Sequence, residues 1–93
     1  MTRYAILYTP PAARMIRKLT PETRELCRTA IEYLAEHPHE GKLLKPPFRS
    51  LRSFRTSAYR IIYKVEERKI TIVVIAVGHR RDIYEKLRRL LLG

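Results

Sequence analysis

The segment from Gly78 to Tyr84 holds the side chains of this sequence that are best suited to chemistry on a phosphate. It places an imidazole (His79), two adjacent guanidiniums (Arg80 and Arg81) and the phenol of Tyr84 within one short stretch. Arginine keeps its proton at ordinary pH, so it can hold a phosphate and stabilise negative charge that develops there. Histidine can transfer protons near neutrality, and tyrosine can do so if its pKa is lowered.

Arg60 is expected to join this segment. It lies on the strand that precedes a hairpin turn at residues 66–69, and that turn would bring it close to His79 and Arg80. RNA carries its own nucleophile, the 2′-hydroxyl, so a basic site can cleave it by positioning, charge stabilisation and proton transfer. The same residues are equally compatible with a site that binds RNA or an acidic protein without chemistry.

Other kinds of active site find little support in the sequence. His37 and His39 flank a proline at a helix end with no cysteine or carboxylate at ligand spacing, so we predict no metal site. The three glycines form no phosphate-binding loop, and no Ser/His/Asp arrangement can be drawn. The single cysteine, Cys27, lies beside an apolar helical stripe and is predicted to be a small buried residue.

The charge distribution favours a polyanionic partner. The chain of 93 residues has a formal net charge of +11, and most of that excess lies beyond residue 41. The stretch from Lys42 to Arg60 contains six bases and no acid, interleaved with aromatic residues. Clustered arginines with aromatics are typical of phosphate neutralisation and base stacking, although charge runs often only solubilise a surface. The candidate RNA-binding residues are Lys45, Arg49, Arg52, Arg55 and Arg81.

The elements that must position these residues follow from the hydrophobic pattern. Apolar and β-branched runs predict strands over 3–8, 50–54, 59–65 and 70–77, and helical periodicity predicts helices over about 10–18, 21–37 and 82–92. Residues 41–48 are predicted to form a loop, and Gly78 to end the last strand, which is apolar on both faces. The predicted fold is a single α+β domain over 1–93 with the order β-α-α-β-β-β-α. A helical hairpin would pack on a small, mostly antiparallel four-stranded sheet.

Two of these stretches resemble a known family. Residues 58–65 (Ala-Tyr-Arg-Ile-Ile-Tyr-Lys-Val) and 77–84 (Val-Gly-His-Arg-Arg-Asp-Ile-Tyr) are similar to the RelE/ParE toxin superfamily, and most similar to its RelE branch. The element order, the chain length and the His37-Pro38 step followed by Lys42-Leu43 are also similar. The resemblance covers essentially the whole chain.

The resemblance implies a toxin of a type II toxin–antitoxin system that cleaves mRNA in the ribosomal A site and so stops translation. Arg60 and Arg80 would stabilise the reacting phosphate, and Tyr84 would stack on a base. The best-known RelE carries two lysines on the strand before the Tyr-Arg step, and here Arg52 and Arg55 would substitute for them as phosphate binders. Because arginine is a poor general base, His79 becomes the candidate acid or base.

The resemblance also implies partners. An acidic, partly disordered antitoxin would wrap the basic surface, and the ribosome and mRNA would be the targets. We expect a cytoplasmic protein that needs neither a metal ion nor another cofactor and has no membrane segment. Two alternatives remain open, namely a ParE-like inhibitor of DNA gyrase without nuclease activity, and an inactive relative that binds RNA or antitoxin.

Overall fold

A computed structural model describes residues 2–93 as five β-strands and three α-helices joined by short connections. In chain order the elements are β1 (Ala5–Tyr8), α1 (Pro10–Arg17), α2 (Pro21–Glu36), β2 (Lys42–Leu43), β3 (Arg52–Thr56), β4 (Tyr59–Glu66), one 3₁₀ turn (Glu67–Lys69), β5 (Thr71–His79) and α3 (Ile83–Leu92). The predicted α+β class is confirmed. Within residues 2–93, no helix is long and apolar enough to cross a membrane.

The sheet has the order β1-β5-β4-β3-β2. β1 runs parallel to β5, and every other neighbouring pair is antiparallel. The prediction of four strands is wrong by one, because Lys42 and Leu43 pair with Ser53 and Arg52 at the edge of the sheet. These two residues lie inside the stretch that was predicted to be a loop.

Both helices of the hairpin begin at a threonine followed by proline. Thr9 accepts a hydrogen bond from the Ala12 N–H at 3.2 Å, and Thr20 accepts one from the Thr23 N–H at 3.3 Å. A proline in the first turn loses no hydrogen bond, because the first N–H groups of a helix have no partner within it. The predicted starts of both helices are therefore confirmed, and α2 ends at Glu36, just before Pro38.

The central strand β5 separates two apolar clusters. One face of the sheet packs against α1 and α2, around residues such as Cys27, Leu34 and Val74. The other face packs against α3 and the 44–51 segment, around Ile62 and Leu87. The predicted burial of β5 on both faces and of Cys27 is confirmed. We call the face that is covered by α1 and α2 the hairpin face, and the face that is covered by α3 the α3 face.

Two strand boundaries differ from the prediction. β3 occupies Arg52–Thr56 instead of 50–54, because it ends in a tight turn at Ser57 and Ala58 that leads directly into β4. β5 does not break at Gly78. It continues to His79, since Gly78 remains paired with Arg60 on β4 and His79 with Tyr59.

Candidate functional site

A groove of about 410 Å³ opens on the α3 face of the sheet. Its walls come from the edge strand β2 with the loop that follows it, from β3 and β4, and from α3. Four basic side chains line it, together with Ser53, Tyr84 and Phe48, and no acidic residue does. The four bases are Lys42, Lys45, Arg60 and Arg88.

Arg60 is brought to this groove by the alternation of side chains along β4. It shares a face with Ile62, which is buried under α3. Its neighbour across the β3–β4 ladder is Arg55, so two guanidiniums emerge from directly opposed positions on one face. Like charges opposite each other destabilise a sheet, and a bound anion would relieve that repulsion.

α3 contributes the aromatic side of the groove. Tyr84 and Arg88 are four residues apart, so they lie on one side of the helix, and Ile83 and Leu87 are buried beneath it. The Arg88 guanidinium carbon lies 6.0 Å from the centre of the Phe48 ring. Tyr84 is 37% exposed, which leaves its ring accessible for stacking on a base.

Tyr84 and Arg60 meet at one hydroxyl. The Tyr84 O–H donates to the Ser53 Oγ at 3.1 Å, and an N–H of Arg60 donates to the same oxygen at 3.2 Å. Ser53 lies on β3 and is only 4% exposed. This cluster forms the floor of the groove.

No carboxylate of the described residues neutralises the bases of the groove. Ion pairs involve bases such as Arg3, Arg28 and Lys64, away from the groove. Within residues 2–93, none of the four groove bases takes part in an ion pair, and neither does Arg55. The groove can therefore present its full positive charge to a ligand.

The structure does not bring His79 into this groove. Its ring lies against Tyr59 with ring centres 5.6 Å apart, on the hairpin face, and it lines a separate cavity with Lys18 and Lys86. Its Nδ1 accepts a hydrogen bond from the Arg81 N–H at 3.2 Å, which leaves Nε2 as the protonated nitrogen of the neutral ring. His79 and Arg60 are near in the sheet but lie on opposite sides of it.

A β-bulge explains this separation. From Glu66 to Tyr63, β4 pairs with β5 in one register, and from Ile62 onward the register moves by one residue. Ile75 and Ala76 therefore both lie on the α3 face, beside Ile62. A shift of one residue reverses the face of every later side chain, so Gly78 lies opposite Arg60 while His79 turns to the hairpin face.

Arg80 and Arg81 lie in the turn between β5 and α3. The Arg80 N–H donates to the Ala58 carbonyl at 2.7 Å, so the backbone still runs beside β4 two residues beyond Gly78. Both arginines are exposed. Within residues 2–93, neither guanidinium is held by an ion pair or a hydrogen bond, and neither residue lines the groove.

The remaining candidate residues divide by position. Lys45 lines the groove, Arg55 lies opposite Arg60, and Arg49 is exposed in the turn between β2 and β3. Arg52 points to the other face, where it donates to the Gly41 carbonyl at 2.6 Å and to the His39 carbonyl at 3.1 Å. Arg52 therefore stabilises the loop after α2, and its position does not make it a phosphate ligand in the groove.

Four groove residues with charged, polar or aromatic side chains were not among the predicted site residues: Lys42, Phe48, Ser53 and Arg88. The spacing of Arg88 from Tyr84 was a usable signal, because it matches one helical turn. Ser53 also had one, since in the predicted strand over 50–54 it lies two residues from the apolar Leu51 and so shares its face. Among residues 2–93, no group of three or more His, Cys, Asp or Glu side chains is arranged to hold a metal ion.

Comparison with known proteins gives a consistent result. Residues 6–84 match the family model described as the ParE toxin of the type II toxin–antitoxin system parDE. Toxin RelG of Mycobacterium tuberculosis is 30% identical over 88 residues, which cover 89% of this chain and 98% of that protein.

Solved structures agree with that relationship. The RelBE2 toxin–antitoxin complex of M. tuberculosis contains a chain with a TM-score of 0.77 and 29% identity, over 84% of this chain and 99% of that one. The isolated RelE toxin of E. coli has a TM-score of 0.71 and 28% identity, over 95% of this chain and 99% of that one.

Proposed function

Because the chain belongs to the ParE toxin family of type II toxin–antitoxin systems, within the RelE/ParE toxin superfamily, we propose that it is a toxin that acts as an mRNA endoribonuclease. The observation that supports this most directly is the groove itself. Four bases and an exposed tyrosine line it, and no carboxylate does. A phosphodiester with a base on either side fits that combination of charge and aromatic surface.

In the proposed reaction, the 2′-oxygen of the substrate attacks the adjacent phosphorus. The bond from phosphorus to the 5′-oxygen of the next nucleotide breaks, which leaves a 2′,3′-cyclic phosphate and a 5′-hydroxyl. Arg60 would hold the non-bridging oxygens as negative charge develops, and Arg80 would contribute from the strand end. Tyr84 would stack on a base and align the attacking oxygen with the leaving oxygen.

Proton transfer needs a group other than His79, the acid or base expected from the sequence. The position of His79 on the hairpin face does not support a role as acid or base at a phosphate bound beside Arg60. The groove itself offers only Tyr84, Lys42 and Lys45 as titratable groups that can both hold and release a proton within reach of a bound nucleotide. We therefore propose that proton transfer is shared between these side chains and water.

The proposed partners follow from the same charge. Several of the similar solved structures are complexes of a RelE toxin with a RelB antitoxin. We propose that this chain binds an antitoxin with an acidic segment that neutralises the groove bases. The ribosome would present the mRNA.

The test is cleavage of an mRNA on programmed ribosomes, read by primer extension. Wild-type protein should cut within the A-site codon, and Arg60→Ala should lower the rate at least ~100-fold, as loss of a single charge-stabilising donor does. Arg68→Ala is the matched control, because Arg68 is exposed in the 3₁₀ turn at the other end of β4 and β5. No cleavage by the wild type, or equal rates for Arg60→Ala and Arg68→Ala, would refute the proposal.

One observation favours a second candidate. The matching family model is described as a ParE toxin, and a ParE-like inhibitor of DNA gyrase could use the same basic groove to bind protein. Expression of the toxin in cells separates the two functions. Gyrase-linked DNA breaks with intact mRNA would support the inhibitor, whereas cut mRNA with intact DNA would support the endoribonuclease.

A further inference from the structure

We propose that Ser53 is a positioning residue that fixes Arg60 and Tyr84 relative to each other before the substrate binds. This inference rests on the proposed endoribonuclease function and adds to it a residue that carries no charge and would not itself react. It starts from one oxygen that serves two groove side chains from different elements, β4 and α3.

Ser53 is unusual because it is polar and buried. Within residues 2–93, the buried polar or charged residues are Ser53 and Thr71, and Thr71 lies at the opposite end of β5 from Gly78. The backbone of Ser53 is held on both sides, since it pairs with Lys42 on β2 and with Ile62 on β4. Its oxygen therefore has a fixed position in the floor of the groove.

Ser53 is also the sole side-chain tether of its two partners. Within residues 2–93, Arg60 and Tyr84 form no side-chain hydrogen bond other than those to the Ser53 oxygen. Without that oxygen, a half-buried guanidinium on a flexible stem and a phenol on a helix would each be free to change rotamer. Arginine loses considerable rotamer entropy when it is ordered, so ordering it in advance lowers the cost of holding the reacting phosphate in the transition state.

A hydroxyl suits this task better than a carboxylate would. It anchors the guanidinium through one of its five N–H donors and leaves the other four for phosphate oxygens. Because serine is neutral, it does not cancel the positive charge that the reaction requires. A serine oxygen also has two acceptor lone pairs, which match the two donors that reach it.

The test compares Ser53→Ala with Thr71→Ala, the matched loss of a buried hydroxyl. Thr71 donates to the Lys69 carbonyl at 2.8 Å, far from the groove. On programmed ribosomes, Ser53→Ala should lower kcat by ~10- to 100-fold with little change in KM, because misplacement of a positioned group has effects of that size. Thr71→Ala should keep the wild-type kcat per folded molecule, and Ser53→Thr, which keeps the oxygen, should recover most of the loss.

A double-mutant comparison separates positioning from a general effect on the fold. In an Arg60→Ala background, Ser53→Ala should lower log kcat by less than about half as much as it does in the wild type, because the group that Ser53 positions is already absent. Full additivity would show that Ser53 does not act through Arg60. Wild-type kcat in Ser53→Ala would overturn the inference directly.

A second readout does not depend on cleavage. The NMR relaxation of the Arg60 Nε–H group should report greater mobility in Ser53→Ala than in the wild type or in Thr71→Ala. If the wild type fails to cleave mRNA, the proposed function fails, and this measurement still decides the inference. An Arg60 side chain that stays equally rigid without the Ser53 hydroxyl would overturn it.

Discussion

Replacement of Gly41 by alanine is expected to destabilise the protein strongly, because the tyrosine beside it has no room to move. A Cβ at position 41 would lie 2.5 Å from the Tyr63 hydroxyl oxygen and 2.7 Å from its Cε1. Tyr63 is fully buried, and its O–H donates to the Pro38 carbonyl at 2.7 Å while its oxygen accepts the Gly41 N–H at 2.8 Å. The ring cannot yield without losing these hydrogen bonds.

The expected size of the effect follows from those contacts. Overpacking a filled core costs about 1–3 kcal/mol. A buried polar group that loses its partner costs about 1–3 kcal/mol more. We therefore expect Gly41→Ala to lower the free energy of unfolding by at least ~2 kcal/mol. For a chain of this size, that loss corresponds to a fall in Tm of roughly 8 °C or more.

Gly78→Ala is the matched control. Its Cβ would lie 3.0 Å from Ile83 Cδ1 and in ordinary van der Waals contact with Ile83 Cβ and Cγ1, so a shift of the Cδ1 methyl by a few tenths of an ångström accommodates it. Alanine also loses less conformational entropy on folding than glycine does, so the net change should stay within about 1 kcal/mol. Both variants are compared by thermal and urea unfolding followed by circular dichroism. Equal stability of the two variants would show that the contact between Gly41 and Tyr63 does not constrain the fold.

Three further predictions concern charge and the aromatic groups. Tyr84→Ala should lower cleavage at least ~10-fold, by the loss of base stacking, and leave Tm within a few degrees of the wild type. Binding of an oligonucleotide made uncleavable by a 2′-deoxy substitution should weaken with salt, and Arg60→Ala should reduce the slope of log K against log salt by about 0.7. An unchanged slope would place Arg60 away from the phosphates. Burial raises the pKa of Tyr63 above its ordinary value of 10.0. The stability that Tyr63 contributes should therefore be complete below pH 10 and fall as the pH rises beyond it, because there the tyrosine ionises only in the unfolded protein. Tyr63→Phe should flatten that fall in urea unfolding between pH 8 and 11, and an equal fall in both proteins would assign it to other groups.

The elements with a strong local signal were predictable. The caps at Thr9 and Thr20, the alternation of Ile61 and Tyr63 against Ile62, and the doubly apolar β5 each reflect a property of a few neighbouring residues. β2 is different, because two exposed residues carry no periodicity of their own. Lys42 and Leu43 become a strand only because β3 offers them a free edge, which is a property of the assembled sheet.

The composition of the site was predictable to a similar degree. Arg60 and Tyr84 carry local signals, since each lies at a definite phase of a strand or a helix, and the structure brings both to the groove. Their side chains meet at Ser53, which lies 7 positions from Arg60 and 31 positions from Tyr84 in the sequence. Such a junction depends on how α3 packs over the sheet, and no spacing within the sequence reveals it.

The placement of His79 shows how one residue of register decides the chemistry of the site. Had the register between Glu66 and Tyr63 continued, Arg60 would pair with Val77, and His79 would share its face. The extra residue in β5 brings Gly78 instead of Val77 opposite Arg60, so the position beside Arg60 has no side chain. The imidazole of His79 then lies on the other side of the sheet. The Ile83 side chain of α3 fills the space over Gly78 on that face, since its Cδ1 would lie 3.0 Å from a Cβ placed there. The same bulge therefore removes a candidate acid or base from the site and lets α3, the helix that carries Tyr84, pack close to the sheet beside Arg60.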